Sequence, residues 1–154
     1  MARTDSLEVP GAVGRGVAAG LLGTVVMTAF QLLVEMPLTG RNESYAPASL
    51  IEKLFPVRPK GAKRRRLNYA AHFAVGATWG AGHALLAKRT GQRGQRAVGT
   101  AFGAIWAGDV IANTALGLTK PWEWSGQDLV VDVVDKLVLA EATGLLFDRM
   151  NPSH

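Results

Sequence analysis

Long apolar runs separated by short charged stretches set the pattern of this chain. Residues 16–34 carry no charge. At about 1.5 Å per residue they reach about 28 Å, enough to cross the hydrocarbon core of a bilayer. Comparable runs cover 67–87, 97–118 and 128–147. The pattern predicts an all-α, single-domain, polytopic membrane protein over residues 1–154. Its four transmembrane helices, at about 16–35, 67–87, 97–118 and 128–147, form a compact bundle. A short amphipathic helix over about 44–55 lies on the bilayer surface, with Leu50, Ile51, Leu54 and Phe55 on one face and Glu52 and Lys53 opposite. Ser44 is its expected cap, and Pro47 sits near its first turn. Pro37 and Gly40 end the first helix, and Pro56 and Pro59 end the amphipathic one. Residues 1–10 are polar and read as poorly ordered. Asp148, Arg149 and Pro152 close the chain.

The polar positions inside the runs fall on stripes. Thr24, Thr28, Gln31 and Glu35 are spaced four, three and four, the interval of one helix face. His72, Gly76, Trp79 and His83 repeat that spacing. Trp106, Asp109 and Asn113 share a face, and Asp128, Asp132, Asp135 and Lys136 fall within an arc of roughly 100°. The fourth run has the weakest claim to cross the bilayer, and a half-inserted helix at a protein contact is the alternative.

Four spans put the loops 35–66 and 119–127 on one side. Counted from that side, Gln31, Glu35, His72, Asp109, Asn113, Asp132, Asp135 and Lys136 lie in the same half of the bilayer. An ionised group near the bilayer centre costs about 3 kcal/mol on insertion scales, so these groups are expected to face inward and pair. Asp132 and Lys136 are an i,i+4 pair in the favourable order. Asp109 is either a second partner for Lys136 or an acceptor for His72. A proton shared among the acids fits the chemistry. The eight residues read as a polar layer and an ion or proton pathway, with structural glue as the plainer reading. A His–Asp–Asp metal site is the weaker idea; no metal, cofactor or catalytic residue is expected. His83 falls toward the far side, and Glu141 sits on the opposite face of its helix.

Composition sharpens this picture. Eighteen glycines would weaken a soluble helical protein but suit close helix contact in a bilayer. Gly16 with Gly20, Gly76 with Gly80, and Gly99 with Gly103 form Gly-x-x-x-Gly pairs, read as helix-packing surfaces. Trp122 and Trp124 read as interfacial anchors. The formal net charge is +5, and the basic residues flank the apolar runs. Lys63, Arg64, Arg65 and Arg66 therefore point to anionic lipid headgroups rather than to nucleic acid. The chain has no cysteine, which excludes disulfides, thiolate metal sites and a cysteine nucleophile. The first run is too long for the apolar core of a signal peptide and lacks a small-residue cleavage pattern, so it reads as an uncleaved span. Nine Lys and Arg on one side against seven on the other do not fix the orientation. A homo-oligomer is compatible with these features.

Glu35-Met36-Pro37-Leu38-Thr39-Gly40-Arg41 after a glycine-rich first span resembles the YagU-like family of uncharacterised bacterial inner-membrane proteins. Gly117-Leu118-Thr119 with Pro121 and a following tryptophan resembles it too. The resemblance implies an inner-membrane location and brings no catalytic residue; the Asp128–Lys136 stripe has no counterpart in it. Two functions stand out: translocation of a proton, small ion or solute through the polar layer, or a structural or assembly role in which the glycine faces bind partner helices. An intramembrane lipid enzyme ranks last, because no Ser-His-Asp or zincin pattern is present.

Overall fold

The computed structural model describes residues 5–151, with side chains from Val9 onward. Within that range the chain is all α, a bundle of five helices with no strand. Helix α1 spans Asp5–Phe30 and runs on through a π-helical turn, Gln31–Glu35, and a last helical turn, Met36–Thr39. Residues 5–10, expected to be poorly ordered, are the start of this helix; residues 1–4 and Pro152 lie outside the described range. The π turn has a local cause. Pro37 has no N–H for the Leu33 carbonyl and its ring would press on that carbonyl, so the helix widens by one residue just before it. Gly40, at φ 68°, then turns the chain left-handed and caps the helix through its N–H to Met36 O.

Helix α2, Ala46–Leu54, is the short amphipathic element. Its N-cap residue is Tyr45 rather than Ser44, although Ser44 Oγ accepts from Ala46 N at 3.3 Å. Helix α3 spans Gly61–Thr90 and α4 spans Gly94–Ala115. A 3₁₀ turn, Pro121–Glu123, leads into α5, Gly126–Met150. The basic run Lys63–Arg66 thus belongs to the first turns of α3, not to a loop. A capping box starts α5: Ser125 Oγ accepts from Asp128 N at 3.1 Å, and Asp128 Oδ2 accepts from Ser125 N at 2.9 Å.

The most extensive contacts join α1 to α3 and to α5, while α4 lies against α5 and α3. Small residues make the α1–α3 contact. A Cβ placed on Gly20 would stand 2.9 Å from Gly80 Cα, and one on Gly16 would stand 2.6 Å from Ala84 Cβ. Gly23 fits as closely against Leu139 and Thr143 of α5. Gly99 and Gly103 do not pack: nothing lies within 4 Å of a Cβ placed on either. Their stripe on α4 faces outward because α4 meets the bundle through Ala97, Val98 and Ala101, which are buried.

Met27, Trp79, Val98, Leu139 and Ala140 form one core cluster, and Ala19, Ala84 and Phe147 a second. Large apolar side chains also cover the outside: Leu33 is 76% exposed, Leu38 79%, Ile111 68% and Val130 60%. Among the described residues one helix, Val9–Thr39, is long and apolar enough to cross a membrane by length and composition. The core helix of a soluble protein or a signal sequence near the N-terminus meets the same criterion. Helices α3, α4 and α5 fall short of it; α5 carries Asp132, Asp135, Lys136 and Glu141 within its length.

Candidate functional site

A cavity of about 360 Å³, open on one side, lies between α1, α2, α3, α4 and α5 and reaches the loop residues Arg41, Asn42 and Glu43. All eight polar-layer residues, Gln31, Glu35, His72, Asp109, Asn113, Asp132, Asp135 and Lys136, line it. Their convergence follows from the stripes: each helix turns its one polar face toward the others, and the apolar faces go outward.

Lys136 is the hub of one wall. Its Nζ donates to Asp109 Oδ2 on α4 at 2.6 Å and sits 2.8 Å from Asp132 Oδ1 one turn back on α5. The remaining carboxylate oxygens are also occupied. Asn113 Nδ2 donates to Asp109 Oδ1 at 2.9 Å, and Trp106 Nε1 donates to Asp132 Oδ2 at 2.8 Å. Of the two partners open to Asp109, Lys136 is the one it meets. His72 instead lies 3.0 Å from Thr28 Oγ1. The Thr28 hydroxyl donates to Thr24 O at 2.8 Å; with its single proton used there, His72 Nε2 supplies the proton of the second contact.

Asp135 is different. It is 8% exposed; Gln31 Nε2 donates to its Oδ2 at 2.7 Å, and its Oδ1 is buried with no hydrogen-bond partner. Glu35 accepts from Thr39 Oγ1 at 2.9 Å and lies 3.9 Å from Arg41 Nε. Arg41 reaches on to Asp128 Oδ1 at 2.5 Å. This pair, with Gln127 Nε2 donating to Thr39 O at 3.3 Å, ties the end of α1 to the start of α5 beside the cavity.

A clamp holds α2 against α3 at the same end. Asn68 Nδ2 donates to Ser44 O at 2.9 Å, and its Oδ1 accepts from Ala48 N at 3.1 Å. Arg64 donates twice to Glu52, at 2.8 and 3.1 Å, and its guanidinium lies 5.0 Å from the centre of the Tyr45 ring. The hydrogen bond from Arg64 holds the Glu52 carboxyl below its ordinary value. Arg64 therefore has a protein partner in Glu52.

Elsewhere, His83 Nε2 and Thr143 Oγ1 are buried without partners beside Trp79 and away from the cavity. Glu141 accepts from Gln95 Nε2 at 2.8 Å. Trp122 is 73% exposed and Trp124 is half-buried. Among the described residues no group of three or more His, Asp or Glu could hold a metal ion. Arg41 and Asn68 were not foreseen as site residues. Asn68 is the one Asn or Gln in the run 67–87, and that was the available signal for it. No protein-family model, curated protein or solved structure matches this chain.

Proposed function

We propose that the chain is a four-span inner-membrane protein whose cavity is the inner end of a path for a proton or small cation. The observation that supports this reading is the convergence of polar residues from all four long helices on one cavity, beneath an apolar exterior. In water that distribution is inverted; in lipid it is the low-energy one, because ionisable groups gather inside and apolar side chains meet acyl chains. Asp135, with one buried acceptor oxygen unused, is the group that can take and release a proton.

The test is proton flux into liposomes. Purified protein is reconstituted with an internal pH dye, and a potassium diffusion potential drives entry. Wild type is expected to acidify the lumen faster than empty vesicles, and Asp135→Asn to fall to the empty-vesicle rate. Equal rates for all three defeat the reading. A partner-binding role is the second reading. The outward Gly99 and Gly103 stripe, with no atom within 4 Å of a placed Cβ, favours it: a helix of another chain, or of a second copy, could approach closely there.

A further inference from the structure

We infer that the stretch from Lys53 to Arg66 is a membrane-docking wedge that seats in a leaflet of anionic phospholipid. None of its residues lines the cavity, and the wedge is independent of the translocation reading. The fold divides the apolar face of α2. Ala48 is fully buried, and Leu50 and Ile51 are half-buried. Leu54, Phe55 and Val57 stand out instead, at 54%, 55% and 40% exposure. Pro56 fixes this break. The helix ends at Leu54, and Phe55, as the residue before a proline, is extended at φ −128° and ψ 151°. Three apolar side chains at one projecting tip are costly in water and favourable among acyl chains.

Charge selects the kind of leaflet. From Lys53 to Arg66 the sequence carries seven cations and no acid. Lys53, Arg58, Lys60, Lys63, Arg65 and Arg66 are exposed. The seventh, Arg64, pairs with Glu52 at 2.8 Å, and Glu52 is the only acid of α2. The fold thus uses one cation to neutralise the charge that would repel a phosphate and turns the other six outward. Arg58 brings charge directly to the apolar tip: its Nη1 donates to Val57 O at 2.7 Å and to Phe55 O at 3.4 Å. Basic side chains beside an apolar wedge are drawn to anionic headgroups.

The wedge is also fixed in place before it meets lipid. Asn68 holds the start of α2 through Ser44 O and Ala48 N, and Arg64 holds its last turn through Glu52. Less ordering is then lost on docking. A nucleic acid would use the cations but leave Leu54 and Val57 in water. An anionic leaflet uses both, with phosphates at the level of the basic side chains and the tip below them.

The test places the fluorophore NBD on Phe55→Cys in the full chain, which has no native cysteine. The protein is reconstituted into vesicles of phosphatidylcholine alone, or of equal parts phosphatidylcholine and phosphatidylglycerol. Both carry a lipid with a doxyl quencher high on its acyl chain. Quenching is expected to be about twofold or more stronger with phosphatidylglycerol, and high salt should reduce the difference. Lys60→Gln, Lys63→Gln, Arg65→Gln and Arg66→Gln combined should bring quenching down to the phosphatidylcholine level, with Arg64 and Glu52 left intact. Equal quenching in the two lipids, or a lipid dependence that survives the four substitutions, overturns the inference. So does a label that no lipid quenches but a single-stranded oligonucleotide shifts, which would assign the surface to nucleic acid. The comparison of lipids uses one labelled protein and decides the matter without the charge variant. Proton flux, present or absent, leaves this result as it stands.

Discussion

Gly20 and Gly80 cross so closely that a Cβ on either would stand less than 3 Å from the Cα of the other. The obstacle on each side is backbone, which cannot swing away as a side chain can. Gly80→Ala is therefore expected to force α1 and α3 apart and destabilise the bundle by about 1–3 kcal/mol. Gly103→Ala, at a position with open space around it, is expected to be neutral or stabilising by up to about 1 kcal/mol. Thermal unfolding of both variants in detergent separates the two cases; equal losses would mean the crossing is looser than described.

Lys136 neutralises two acids from two helices. Lys136→Met should leave Asp109 and Asp132 repelling each other across the α4–α5 contact. The side chains are a fifth to a quarter exposed, so the cost should lie below that of a fully buried pair, at about 2 kcal/mol. Adding Asp109→Asn and Asp132→Asn to Lys136→Met should recover most of that loss. Unfolding of the single and triple variants measures it, and a triple variant no more stable than the single one would refute the pairing.

The α2 clamp should respond to acid. Glu52 has a folded pKa below its ordinary 4.5, so its bond to Arg64 contributes fully above pH 4.5. The contribution is lost as pH falls through the lower folded value. Hydrogen exchange of the Ala46–Leu54 amides should show protection in wild type declining below pH 4.5 toward that of Glu52→Gln, once corrected for intrinsic rates. Identical protection in both proteins at pH 6 would show that the Glu52–Arg64 bond does not hold the helix.

Orientation is accessible by cysteine labelling, since the chain has no native cysteine. The Arg41–Asp128 and Thr39–Gln127 contacts join the region after α1 to the start of α5. Gly94 N bonds Asp148 at 2.8 Å near the start of α4. Cysteines at positions 49 and 125 should therefore react from one side of a sealed vesicle, and one at position 92 from the other. Reaction of 49 and 125 from opposite sides would exclude the four-span arrangement.

Much of the cavity was legible in the stripes. Helical spacing of Gln31, Asp109 and Asp135 fixes the faces they share, and depth counting requires only the length of each run. Partner choice was less legible, because spacing along α5 suggests Asp132 for Lys136 but cannot rank His72 against Lys136 for Asp109. The glycine pairs were legible only as a class. Gly-x-x-x-Gly permits close approach without naming a neighbour, so Gly76 with Gly80 and Gly99 with Gly103 read alike. Gly23 and Gly144, which do pack against other helices, lie outside any such pair. The span count rests on apolar runs, and Val9–Thr39 alone meets a strict length-and-composition criterion among the described residues.

The π turn at Gln31–Glu35 changes the phase of the helix. An α-helix advances about 100° per residue, so one additional residue in a single turn rotates everything beyond it by about that angle. Met36 through Arg41 therefore stand a step out of phase with Thr24 and Thr28. Removing one residue from 32–34 would turn Met36 through Arg41 back by about that angle and swing Arg41 off the start of α5. What looks like a local irregularity before a proline is the device that aligns the end of the first helix with the acids of the last.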